Sequence, residues 1–265
     1  MISVRARIND MEFEIDCDSK DKVFQSLSNG FACDSDQLRS ILLELDIEKI
    51  YEKDWKNINI RGDEYLYEYA IRQLGNHKPL KMVNWFHLTR TTRQNDFKDG
   101  IIPLVDCLDR IWSMLIDIPT DKAIKNNLKA LKNNGVPNFL YSLKHNSQLL
   151  SGPYACLVKD TAFNANDLGQ HDYLRMPEII EDICNGYEKK FGESIFEIYQ
   201  SFLVPKIVKF QSSKRIDTGC VKTALYYAYE AVRSNQPSGN CVTCFDGKGS
   251  KIKPESIVSV TTVEN

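Results

Sequence analysis

In the stretch Val83 to Leu104, VNWFHLTRTTRQNDFKDGIIPL, a histidine and a threonine stand two residues apart within an apolar run. Residues i and i+2 of a strand share a face, so His87 and Thr89 point the same way. The polar segment Thr91 to Asp99 follows and closes at Gly100. Thr91 or Thr92 can cap a short helix, and Gly100 suits the left-handed residue that ends one. The pair Ile101-Ile102 then resumes the apolar pattern until Pro103 stops it. The segment reads as strand, short helix, glycine stop and turn.

Two other groupings bear on chemistry. In the loop NDLGQHDYLR, His171 adjoins Asp172, with Tyr173 and Arg175 nearby. A histidine beside a carboxylate can transfer protons, and a solvated loop is the plainer reading. Cys241-x-x-Cys244 has the spacing of half a zinc knuckle, but no second such pair exists. If the two lie on one strand, their thiols face opposite sides. We assign no metal ligands. The Gly-rich phosphate loops and the Gly-x-Ser-x-Gly elbow of hydrolases do not occur.

The elements that would position these residues follow from pattern. Ile2 to Ile8 and Met11 to Ile15 alternate around Asn9-Asp10, predicting a β-hairpin. Helical spacing marks Ser19 to Leu27, ending at Asn29-Gly30, and a segment capped by Asp34 or Ser35. Tyr51 to Ile60 reads as a turn and short strand, and Asp63 to Leu74 as a helix stopped by Gly75. Further helices are predicted over Val105 to Ile116, Asp121 to Leu131, Pro177 to Asn185-Gly186, Glu188 to Phe202 and Val221 to Val232. Strands are predicted over Gly152 to Val158, Ile207 to Phe210, around Asp246-Gly247 and over Ile257 to Val263. Strands at both ends with helices between them imply an α+β fold, helices packed on a small mixed or antiparallel sheet. The linker Asn76 to Leu80 sets a soft boundary between an N-terminal hairpin-plus-helix region, 1–78, and an α+β domain, 79–265, that holds the candidate site.

Composition narrows the function classes. At 265 residues and 42% hydrophobic content the chain can build a real core. A net charge of −2 argues against a surface built throughout for nucleic acid. Local basic groups remain: Lys122, Lys125, Lys129 and Lys132 share a helix face, and Lys206, Lys209, Lys214 and Arg215 cluster. Either could contact phosphates, and a solvated face is their ordinary explanation. No run has transmembrane length, and the opening MISVRARINDMEFEID has no signal-like apolar stretch. The eight cysteines then read as reduced thiols in a cytoplasmic protein without membrane attachment.

The pattern His87-x-Thr89, a helix-length gap, then Gly100-Ile101 resembles the first motif of the ADP-ribosyltransferase superfamily, which includes DNA-targeting bacterial toxins and RNA 2'-phosphotransferases. The resemblance implies NAD as substrate, with His87 holding its ribose, Thr89 beside it, and Arg90 or Arg93 on the pyrophosphate, which suits arginine's planar fork. It also implies a tyrosine stacked on nicotinamide; Tyr154 of Gly152-Pro153-Tyr154 is the candidate and Tyr173 the competitor. Breaking the nicotinamide–ribose bond builds positive charge on the sugar, so a carboxylate is needed. The C-terminal strands offer Asp246 and Glu255, of which Glu255 is taken as catalytic; Glu178 and Glu181 read as helix N-terminal charges. The catalytic set is therefore His87, Tyr154 and Glu255. The acceptor would be a protein or nucleic acid, in bacterial or antiviral defence or as a toxin. The alternative is a non-enzymatic interaction module or assembly subunit, using the aromatics of Tyr187 to Phe210 and Tyr226 to Tyr229 as an interface. Convergence of His87, Tyr154 and a carboxylate on a cleft separates the two.

Overall fold

The computed structural model describes residues 12–54, 59–145, 147 and 150–264. In chain order the elements are β1 (Phe13–Ile15), α1 (Lys20–Phe31), α2 (Ser35–Glu44), α3 (Ile47–Asp54), α4 (Gly62–Leu74), β2 (Leu80–Thr91), α5 (Leu104–Asp117), α6 (Lys122–Asn134), α7 (Phe139–His145), β3 (Tyr154–Cys156), α8 (Glu178–Phe191), α9 (Phe196–Phe202), β4 (Val204–Ser212), α10 (Thr218–Val232), β5 (Cys244–Asp246) and β6 (Ile257–Thr262). The strands order β5-β3-β2-β4-β6, with β1 beside β2. The β2/β3 and β4/β6 pairs are antiparallel and β1/β2 is parallel. The fold is α+β, as the strand and helix patterns predict. The first arm of the expected N-terminal hairpin lies outside the described residues; its second arm is β1, which pairs with Leu80 to Val83 of β2. No helix among the described residues is long and apolar enough to cross a membrane.

Two compact units interleave along the chain. The first takes residues up to Phe86, Cys156–Gly169 and Gln211–Phe245. Residues 12–54 and 59–78 thus share a unit with α10, drawn from the far end of the sequence, because α10 packs on α1, α2 and α4. Val221, Ala224, Leu225 and Ala228 are fully buried there, and the Tyr229 hydroxyl accepts the Ile47 amide hydrogen at 3.1 Å. The segment read as turn and strand after Tyr51 is helical to Asp54, and 55–58 lie outside the described residues.

The second unit takes His87–Ala155, Gln170–Phe210 and the residues from Asp246 onward. Its core comes from the apolar stripes of four helices: Leu108, Trp112 and Leu115 of α5, Leu128 and Leu131 of α6, Ile179, Ile183 and Tyr187 of α8, and Tyr199 of α9. Each such side chain contributes about 1.5–3 kcal/mol of burial. Polar atoms carried inward are satisfied: Trp112 Nε1 donates to the Tyr141 hydroxyl at 3.1 Å, and the Tyr199 hydroxyl donates to the Leu115 carbonyl at 2.9 Å. The Asp121 carboxylate caps α6 by accepting the Ala123 amide hydrogen at 2.6 Å, and Gly192, rather than the expected Gly186, ends α8 in the left-handed conformation.

Two glycines read as helix stops are not stops. α1 runs through Gly30 and α8 through Gly186. A Cβ on Gly30 would meet the Phe13 ring at 2.7 Å, and one on Gly186 would meet Val136 Cγ1 at 2.3 Å. Both glycines let another element approach the helix. Gly186→Ala should therefore destabilise the protein by about 1–3 kcal/mol through overpacking, and adding Val136→Ala should recover part of the loss. Denaturant unfolding of the two variants measures this; a Gly186→Ala variant as stable as the native chain would contradict it.

Candidate functional site

His87 and Thr89 project from the second half of β2 into a cavity of about 550 Å³ that Gly100 and Ile101 also line. The four residues of the sequence motif thus meet at one cavity. Its remaining walls come from the 91–99 segment, from α5 through Cys107, Arg110, Ile111 and Met114, and from the start of α8 through Pro177, Ile179 and Ile180.

Gly100 is fixed here by geometry. Its φ is +80°, and a Cβ would lie 2.1 Å from the Ile252 carbonyl oxygen. That carbonyl accepts the Ile101 amide hydrogen at 3.0 Å, and the Ile252 amide returns a bond of equal length. The short helix expected between Thr91 and Gly100 does not form; the segment is a run of turns. Its own side chains explain why. The Asn95 carboxamide oxygen accepts the Phe97 amide hydrogen at 3.1 Å, and the Asp96 carboxylate accepts that of Lys98 at 3.1 Å. Such local bonds compete with the helical ladder.

His87 is held by one decisive contact. Its Nδ1 lies 2.7 Å from the Tyr154 carbonyl oxygen. A carbonyl only accepts, so Nδ1 carries the proton and Nε2 of the neutral ring is left as an acceptor. Burial lowers the imidazole pKa below its ordinary value, against the weaker raising effect of that hydrogen bond. The neutral form is favoured at neutral pH. His87 thus meets the backbone of Tyr154, the first residue of β3, and not the ring that the sequence reading placed beside it. The Tyr154 side chain is 39% exposed, outside the cavity lining. Burial raises its phenol pKa, and the charges of Asp246 and Glu178 raise it further.

Other nominated residues have different surroundings. Arg90 borders the cavity but is 6% exposed, and its guanidinium donates to three carbonyls, Leu203 at 2.9 Å, Leu174 at 2.9 Å and Gln200 at 2.7 Å. It clamps the C-terminal end of α9 and the 174 loop to β2, in place of the pyrophosphate contact assigned from sequence. Arg93 is exposed and outside the lining. Glu255 sits in the turn before β6, also outside the lining, with its carboxylate 3.6 Å from Lys253 Nζ. Lys206, grouped with phosphate-facing cations in the sequence, is buried and donates to the Arg93 and Asn95 carbonyls at 2.9 and 2.5 Å, anchoring the cavity loop.

The His171 loop forms a second polar cluster. His171 Nε2 is 2.6 Å from the Met176 carbonyl, so Nε2 donates. The Tyr173 hydroxyl donates to Glu178 at 3.1 Å, and Lys144 Nζ reaches Glu178 at 3.1 Å and Asp182 at 2.7 Å. Asp172 Oδ1 accepts the amide hydrogens of Leu174 and Arg175, and a carboxylate near the His171 ring is that of Glu181, 3.6 Å from Nδ1. Burial opposes ionisation of Glu178, but the Lys144 and Tyr173 bonds outweigh it and its pKa is lowered. Of the Cys241/Cys244 pair, the first is buried and the second exposed. Among the described residues no group of three or more His, Cys, Asp or Glu side chains is arranged to hold a metal ion. Lys125 and Lys132 of the basic helix engage the Asp117 carbonyl and Asp109.

Sequence reasoning passed over Arg110. The available signal was its spacing: Cys107, Arg110, Ile111 and Met114 recur at the three- and four-residue intervals that place side chains on one helix face.

The Arg90 clamp predicts a large stability effect. Arg90→Met leaves buried carbonyls without donors and should cost about 3–5 kcal/mol. Arg90→Lys should recover only part, because one ammonium cannot reproduce the three-way fork. Urea unfolding checks this; a near-neutral Arg90→Met would refute the clamp. No family model matches the chain, and neither the curated proteins nor the solved structures searched give a match.

Proposed function

We propose that the chain is an NAD-dependent ADP-ribosyltransferase-like enzyme acting on a protein or nucleic-acid acceptor, in bacterial defence or as a toxin. The observation that carries this reading is that His87, Thr89, Gly100 and Ile101, which hold the whole resemblance, line one cavity. Its volume of about 550 Å³ lies within the range of about 300–1,000 Å³ usual for ligand sites.

The residues suit a nucleotide sugar. His87 Nε2 is an acceptor aimed by the Tyr154 carbonyl, the form that takes a hydrogen bond from a ribose hydroxyl. Thr89 adds a hydroxyl on the same strand face. Ile111, Met114, Ile179 and Ile180 give apolar walls for flat rings. In the transfer, the bond between ribose and nicotinamide breaks, its electron pair leaves with nicotinamide, and the acceptor forms the new bond to the ribose carbon while losing its proton to solvent. The carboxylate that steadies the positive ribose carbon is Glu178 in this reading, in place of Glu255. Neither carboxylate lines the cavity; Glu178 is favoured because it stands between the lining residues Pro177 and Ile179, and its bonds to Lys144 and Tyr173 lower its pKa and keep it ionised.

The alternative, a non-enzymatic interaction module, loses most of the surface first assigned to it: Tyr187, Tyr199, Tyr226, Tyr227 and Tyr229 are buried in their cores, while Phe202 stays exposed. What favours it is the exposed apolar face of α7, with Phe139 75%, Leu140 53% and Leu143 42% accessible.

Calorimetry separates the readings. The native chain should bind NAD, and His87→Ala, with its fold verified by circular dichroism, should bind about tenfold more weakly or not at all. NAD cleavage should fall by about 100-fold or more in Glu178→Gln and persist in Glu255→Gln. A folded native chain that does not bind NAD would overturn the transferase reading.

A further inference from the structure

The cations that border the cavity are Arg90, Lys98 and Arg110, and they are not equivalent. Arg90 is buried with its guanidinium on three carbonyls. Arg110 projects from α5 beside Cys107, Ile111 and Met114, which line the same wall. Its side chain is 68% exposed, and Nη1 touches Asp99 Oδ2 at 3.3 Å. Asp99 directly precedes Gly100, so the glycine turn sets the carboxylate that holds the guanidinium at the cavity edge.

This pair is weak by construction. Both partners are open to water, and exposed ion pairs contribute about 0–1 kcal/mol. The contact uses one guanidinium nitrogen, whereas a phosphate can take two parallel charge-assisted bonds from the same fork. An incoming phosphate oxygen therefore outcompetes Asp99 at little cost. We infer that Arg110, prepositioned by Asp99, recognises the phosphate-bearing part of the ligand in this cavity, with Lys98 adding long-range charge. The inference rests on the NAD reading above and names the residue that selects a phosphorylated ligand.

The test compares NAD affinity by calorimetry in the native chain, Arg110→Gln, Arg110→Lys and Arg90→Lys, at two salt concentrations. Arg110 is exposed, so its variants should fold as the native chain does. Arg110→Gln should weaken NAD binding about tenfold and flatten its salt dependence, because one ion contact is gone. Arg110→Lys should keep the salt dependence and recover part of the affinity. A folded Arg90→Lys should bind with unchanged salt dependence. Native affinity and salt response in Arg110→Gln would overturn this inference while leaving the NAD reading intact. Failure of the native chain to bind NAD would overturn both.

Discussion

The candidate site depends on one hydrogen bond, from His87 Nδ1 to the Tyr154 carbonyl. The backbone of β3 thereby decides the chemistry of a side chain on β2. The carbonyl selects the tautomer, the tautomer leaves Nε2 as an acceptor, and burial keeps the ring neutral. If Nε2 carried the proton instead, the ring would present a donor to the cavity in place of an acceptor. Thr89 shares the face because the strand alternates, and Gly100 closes the loop because no other residue fits beneath the Ile252 carbonyl.

Around that contact, two buried cations do structural work. Arg90 ties β2 to the end of α9, and Lys206 ties β4 to the cavity loop at Arg93 and Asn95. Both meet neutral carbonyls in these contacts. Burial lowers the pKa of each, yet each bonds carbonyls that would otherwise lack a donor. Removing such a donor is costly because the acceptors stay behind in a place water does not readily reach. The buried cations Arg90 and Lys206 are thus committed to the scaffold, while Asp96, Lys98, Asp99 and Arg110 bring further charge to the cavity lining. Arg110, exposed and paired with Asp99, stands at the edge.

Much of this was legible in the sequence, for reasons that particular residues show. Helices of both units announce themselves: those of the second through Leu108, Trp112 and Leu115, whose spacing survives in the core, and through the local cap Asp121, and α4 of the first through its local stop Gly75. His87 and Thr89 were legible because strand alternation is local too. What was not legible depends on partners distant in sequence. Gly30 and Gly186 read as stops because nothing nearby reveals Phe13 or Val136 pressing on them. Arg90 read as a ligand contact because its three carbonyls lie about a hundred residues on. The Thr91 to Gly100 segment read as a helix because propensity does not register that Asn95 and Asp96 turn back on their own amides.

The most direct measurement is nitrogen-15 NMR of the His87 imidazole, assigned with a His87→Gln variant, across a pH titration with and without NAD. The account predicts a neutral ring protonated at Nδ1, a pKa below the ordinary histidine value of about 6.5, and an Nε2 resonance that moves when NAD is added. As pH falls through that lowered pKa, Nε2 takes up a proton, ceases to be an acceptor, and NAD should dissociate. A ring protonated at Nε2, or an Nε2 resonance indifferent to NAD, would contradict the central claim.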